Sequence, residues 1–183
     1  MFYMPKVVNL NKLLTDQERR KHVICGDIKL LFDTNNILTS LVRRINKQDT
    51  HFVMGCAAWF TNDRVIDALS KLKGVSIICT RDKVARAKYT KEKYRKLPKH
   101  DDIPTILLLG CGRGRNASLM HHKFLVGMDE KQNPLWVSTG SFNLTKSATS
   151  NIENLMIIEN RELATSFLKE FQRLFQIAKP LTL

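Results

Sequence analysis

Cysteine is scarce in this 183-residue chain and wrongly spaced for chemistry: Cys25, Cys56, Cys79 and Cys111 lie 31, 23 and 32 residues apart. No CxxC pair exists to build a zinc site or a redox centre. The four read as reduced, partly buried thiols that behave as small apolar groups. Long apolar runs are also missing. Nowhere do 18 apolar residues stand together, and the start, "MFYMPKVVNLNKLLTDQERRKH", has no apolar stretch before a small-residue cleavage site. A spanning helix and a secretory signal are therefore not expected, and the cytoplasm, or the interior of a host cell, is the expected location. Acidic residues are outnumbered, with 17 Asp and Glu against 30 Lys and Arg, a formal charge of +13. A field of that size on so small a chain favours polyanionic partners, nucleic acid or an anionic membrane surface.

What is present is enough for one ordinary core. At 43% hydrophobic content and this length, folding buries roughly two thirds of the unfolded surface without staples. Neither an internal repeat nor a low-complexity linker divides the chain, so residues 1–183 read as one domain, with 1–24 as an N-terminal extension. "IKLLFD" predicts a strand. "TNNILTSLVRRINKQ" predicts a helix capped by Thr34, with Ile37, Leu38, Leu41, Val42 and Ile45 as its apolar stripe. "THFVMGCAAWF" and "VSIICT" predict buried strands on either side of a helix over "TNDRVIDALSKLKG", capped by Thr61 or Asn62 and stopped by Gly74. "TILLLG", "LMHHKFLVGM", "LWVSTGSFN" and "NLMIIEN" continue as strands, and "RELATSFLKEFQRLFQIA" as an amphipathic helix. Strands alternating with helices imply an α/β fold with a central mixed sheet covered by helices on both faces.

The chemistry concentrates in two of these strands. Side chains alternate along a strand, so His121 and Lys123 share one face of "LMHHKFLV" while His122 turns away with Met120 and Phe124. In "VSTGSFN", Ser141 and Asn143 point together if the extended conformation persists, with Gly140 leaving room beside them. Imidazole, ammonium, hydroxyl and amide together suit a phosphodiester. A neutral imidazole can attack phosphorus while the others donate to the non-bridging oxygens, and a second histidine can protonate the leaving oxygen.

His121-His122-Lys123, followed by Gly140-Ser141-Phe142-Asn143 and then by Glu153, resembles the His-x-Lys … Gly-Ser-x-Asn signature of the phospholipase D superfamily, most of all its small single-motif nucleases. "AAWFTNDRVIDALSKLKGVSI" is similar to the strand, helix and strand those enzymes carry upstream, so the likeness spans roughly residues 25 to 175. It implies a catalytic domain that uses no metal and no cofactor, in which His121 forms a phosphohistidine. Because the chain has a single His-x-Lys motif, the likeness also implies a homodimer that pairs two His121 side chains across a two-fold axis. Glu153 is then expected to hold the other ring nitrogen of His121. The chain departs from the pattern in one place. The family's aspartate, five positions after the motif lysine, is here Met128, with Asp129 one residue later; a bulge would bring Asp129 back into place, and a turn or ion-pair residue is the other reading.

Between the strand over "VSIICT" and that over "TILLLG" lies a basic segment, residues 81–100. From Arg81 to Lys99 it carries nine basic residues against two acidic ones, with Tyr89 and Tyr94 interleaved. Arg86, Lys88, Lys91 and Arg95 are candidate phosphate contacts, and Arg113 and Arg115 in "GCGRGRN" are second candidates. The two tyrosines either stack on exposed bases or join the core. The reading is thus a nuclease acting on DNA or RNA. A phospholipase or cardiolipin hydrolase on anionic membranes is the alternative, and a nucleic-acid-binding protein with an idle site is another.

Overall fold

The computed structural model describes residues 22–110 and 118–183. In chain order the elements are β1 (His22–Cys25), β2 (Ile28–Leu31), α1 (Thr34–Ile45), β3 (Phe52–Ala57), α2 (Asp63–Leu69), β4 (Gly74–Thr80), α3 (Lys83–Arg86), α4 (Lys88–Tyr94), β5 (Ile106–Leu109), β6 (Lys123–Met128), β7 (Pro134–Gly140), β8 (Leu155–Ile158), α5 (Arg161–Phe175) and β9 (Lys179–Pro180). The strands form one sheet in the order β1-β2-β8-β7-β6-β3-β4-β5-β9. β3, β4 and β5 run parallel, joined by helical crossovers, and the remaining pairs are antiparallel, so the sheet is mixed as expected.

Alternation along the buried strands sends neighbouring side chains to opposite layers. Val53, Ile77, Leu108, Leu125 and Trp136 pack beneath α1, α2 and α4 with Leu41, Leu69 and Tyr94. Cys56, Ile78, Leu107, Phe124 and Val137 pack against Ala164, Phe171 and Leu174 of α5. Strands covered on both faces carry near-continuous apolar runs, which is why "VSIICT" and "ILLL" were legible. Burial pushes the Cys79 thiol up to about 12 and the Cys56 thiol higher still, so both are inert core groups.

Helix starts follow local side-chain chemistry. Asp33, not Thr34, caps α1 by accepting from the Asn36 amide at 3.0 Å, and Asn62 caps α2 through the Val65 amide at 3.3 Å. Gly74 opens β4 rather than ending α2: a Cβ there would lie 2.5 Å from the Cβ of His100, so the glycine serves a close approach. The N-terminal reading also changes. His22 to Ile24, counted with the extension, belong to β1, which turns through Gly26 at φ +56° and pairs with β2 at the sheet edge. The basic segment is two short helices, broken at Ala87, whose backbone is extended (φ −63°, ψ 142°).

Candidate active site

Five strand ends meet at one edge of the sheet. β3 and β4 finish there, β6 begins there opposite the end of β3 (Ala57 beside Lys123), and β7 finishes beside the start of β8 (Gly140 beside Leu155). The C-terminal edge of parallel strands is where α/β sheets place ligands, because loops leave it in divergent directions.

β6 starts at Lys123, so the histidine doublet lies just before the strand rather than within it. The segment is nevertheless held extended. The His122 carbonyl accepts from the Ala58 amide at 3.1 Å, and the Met120 carbonyl accepts from the Thr80 hydroxyl at 2.6 Å. Alternation therefore holds across it. The exposed His121 sits with Lys123, whose Nζ stands 3.3 Å from Nδ1 and 3.2 Å from Nε2 of the ring and donates to the His121 carbonyl at 3.0 Å. His122 faces the α5 layer, 3.4 Å from Glu170 Oε1 and edge-on to Phe124. An ammonium has no acceptor, so the Lys123 contact is a hydrogen bond only when the ring nitrogen it meets is unprotonated. Desolvation lowers the Lys123 ammonium from its ordinary range, opposed by the attraction of Glu153.

The second motif differs from its expected geometry. Extended conformation stops at Gly140, so Ser141 and Asn143 are not neighbours on one strand face. A Cβ at Gly140 would lie 2.3 Å from the Asn154 carbonyl, so this glycine admits backbone. The Asn154 carbonyl accepts from the Ser141 amide, and the Ser141 hydroxyl accepts from the Asn154 amide at 3.0 Å while donating to Glu153 Oε2. Glu153 also accepts from Asn151 Nδ2 at 3.3 Å. The Glu153 carboxylate thus bonds Ser141 and Asn151, not the His121 ring. Asn143 has its Oδ1 buried without a partner among the described residues.

Asp129 is not brought to the site. The register of β6 and β7 slips between Gly127 and Met128, but Asp129 tops the turn beyond, accepting from the Lys131 amide at 2.9 Å and the Asn133 amide at 2.8 Å. The backbone and then the side-chain amide of Asn133 hold its carboxyl below the usual range. In the basic segment, Arg86 Nε donates to the Asp82 carbonyl at 3.1 Å, Lys91 to the Thr182 carbonyl at 2.6 Å, and Arg95 pairs with Glu92. Lys88 opens α4. Tyr94 is buried with its hydroxyl on the Phe60 carbonyl at 2.7 Å, so it belongs to the core, while Tyr89 is exposed. Arg113 and Arg115 lie outside the described residues.

Two site residues escaped the sequence reading. The Trp59 ring stands edge-to-face against His121, centroids 5.6 Å apart at 83°, and its indole N–H donates to Asp82 Oδ2 at 2.8 Å. Each follows the end of a parallel strand, the positional signal that would have singled them out. Among the described residues no cluster of three or more His, Cys, Asp or Glu is arranged to hold a metal ion, and no helix is long and apolar enough to cross a membrane.

The sequence pattern of the family described as "Cardiolipin synthase, PLD-like domain" matches residues 41–175, which is most of the chain and includes both motifs. The chain belongs to this phospholipase D-like family. Its fold is shared with NucT from Helicobacter pylori, at TM-score 0.64 and 18% identity over 84% of this chain and 98% of that one. It is shared equally with a phospholipase D family member, Nuc from Salmonella typhimurium, at TM-score 0.62 and 19% identity over 85% and 98%. An uncharacterized protein, L381, of Acanthamoeba polyphaga mimivirus is 29% identical over 93% of this chain and 72% of its own length. NucT and Nuc are thus matched over nearly their whole length, and the fold is common to all three chains.

Proposed function

We infer that this protein is a phosphodiester hydrolase that cuts DNA or RNA without a metal, through a phosphohistidine on His121, as a homodimer. The observation that carries the reading is an exposed imidazole with an ammonium 3.2–3.3 Å from its ring nitrogens, at the sheet edge where the basic segment begins. The ammonium stands close enough to donate to a phosphoryl oxygen held at the ring once substrate arrives, and an imidazole in its neutral form is the nucleophile. His121 forms the P–N bond as the P–O bond to the leaving group breaks. The departing oxygen takes its proton from the His121 of a second copy. Water then attacks phosphorus, gives that imidazole a proton and releases His121. Lys123 and Asn143 are assigned to the non-bridging oxygens, while the Ser141 O–H, which donates to Glu153, fastens the loop after β7. The basic segment and +13 charge steer a polyanion toward the edge and make binding fall with salt.

One observation favours a second reading, hydrolysis of an anionic phospholipid at a bilayer. Ile152 stands fully exposed beside Glu153, an apolar side chain suited to an interface. A cleavage panel in excess EDTA separates the readings, using single-stranded and duplex DNA, RNA and cardiolipin vesicles with wild type and His121→Ala. Nucleic acid cut by wild type alone is the expected result. Residual His121→Ala activity within about tenfold of wild type refutes the assignment. Turnover of cardiolipin only establishes the lipid reading. Salt-sensitive binding with no turnover, unchanged in His121→Ala, establishes an idle binding protein.

A further inference from the structure

Next to His121, on the side away from α5, a groove runs between the loop after β3 and the loop after β7. Trp59, Thr61, Asn143, Thr145, Lys146 and Ser147 line it. Its walls are fixed to each other. The Thr61 and Asn62 amides donate to the Leu144 carbonyl at 2.8 and 2.9 Å, and Asn62 Nδ2 donates to the Thr145 carbonyl at 3.2 Å. Among the described residues, half-exposed Trp59 is the one aromatic side chain lining it and Lys146 the one charged residue. The indole cannot swing freely, because its N–H is bound to Asp82, whose other oxygen caps α3 through the Ala85 amide at 2.8 Å.

We propose that this groove is a nucleobase subsite, with Trp59 as its stacking wall, for the base next to the scissile phosphate. The proposal rests on the nuclease reading and narrows it. An indole held in place before the ligand arrives loses little conformational freedom on stacking, and every base offers it a π-face. The hydroxyls of Thr61, Thr145 and Ser147 are short polar groups suited to a base edge or a sugar, and Lys146 to the next phosphate along the strand. Because the indole also abuts His121, a base stacked there sits within one nucleotide of the attacked phosphorus. A base inside a duplex cannot reach the groove without unstacking, so the site selects single-stranded or locally opened nucleic acid.

The test begins on the substrate side and needs no variant. A short single-stranded oligonucleotide carries one abasic residue, walked along its length, and wild-type cleavage products are mapped. Cleavage at the linkages flanking the abasic residue falls about tenfold, the worth of one base-on-aromatic stack. In Trp59→Ala that local penalty disappears while cleavage of the fully based strand drops to the same degree. The second readout is emission. The chain has two tryptophans, and Trp136 is wholly buried, so quenching by the oligonucleotide in the His121→Asn background reports Trp59. It is lost in His121→Asn with Trp59→Phe, where Trp136 emission persists. Nucleic acid cut with no abasic penalty and no quench overturns the subsite and leaves the nuclease reading standing. An oligonucleotide neither bound nor cut overturns both.

Discussion

Replacing Lys123 by methionine keeps the length of the side chain and removes its charge. The ammonium stands 3.2 Å from His121 Nε2, and a phosphoryl group attacked by that ring places its non-bridging oxygens within about 4 Å of the charge. One unit charge at that separation, at the effective dielectric of about 20 suited to a protein edge, is worth about 4 kcal/mol. Much of that attraction exists only once the oxygens take up transition-state charge, so kcat falls further than substrate affinity. The expected loss in kcat/KM for Lys123→Met is about a thousandfold. The assay is initial-rate cleavage of a labelled single strand in EDTA, beside circular dichroism to show the fold retained. The pH profile adds a separate check. Desolvation lowers the Lys123 ammonium from its ordinary range, so wild type loses activity at alkaline pH before an ordinary lysine would titrate, and Lys123→Met loses that limb. A folded Lys123→Met within tenfold of wild type, with the alkaline limb intact, refutes the assignment of this ammonium.

Asp129→Ala loosens the β6–β7 turn and leaves cleavage within about twofold of wild type. Because the folded carboxyl sits below its ordinary range, its stabilisation is present above about pH 4 and is lost as pH falls through the folded value; the melting-temperature gap between wild type and variant therefore closes in acid. Gly127→Ala places a Cβ 2.0 Å from Trp136 Nε1. That indole is tied to Thr50 at 3.1 Å and covered by Arg44 at 5.0 Å, so the neighbour cannot yield. The expected cost is about 2–3 kcal/mol, a fall in melting temperature on the order of 5–10 °C by calorimetry. Sedimentation is expected to give a dimer, and a monomer active at concentrations where no dimer forms removes the paired-histidine step.

The sheet was legible because its signal is redundant. β4 and β5 are covered by helices on both faces, so nearly every residue in them is apolar, and no error of a residue or two at an end changes that pattern. β1 was hidden for the opposite reason. At the edge of the sheet its residues are largely exposed, and "HVIC" follows a charged stretch with nothing to mark the boundary. Thr34 and Asp33 are both competent caps, and only the backbone decided between them, with Asp33 extended at φ −84° and ψ 121° and Thr34 already helical.

The site divides along the same line. His121 and Lys123 were readable as a pair because alternation needs only a locally extended chain, and the Ala58 and Thr80 hydrogen bonds supply it even before β6 begins. The pairing of Ser141 with Asn143 failed where that condition failed: β8 and its approach crowd Gly140, the chain bends, and period-2 reasoning loses its phase. Glu153 shows the limit of an inherited role. Its carboxylate reaches Ser141, twelve positions earlier in the chain, a closure no local pattern encodes. Trp59 and Asp82 are 23 positions apart and look unrelated until β3 and β4 lie side by side. Parallel pairing turns one crossover unit into a spatial neighbour, so the residues that follow two such strands converge on one edge whatever their identity. What sequence order hides, strand order restores: the indole beside His121 is there because the chain leaves β3 at the point where β6 enters antiparallel to it.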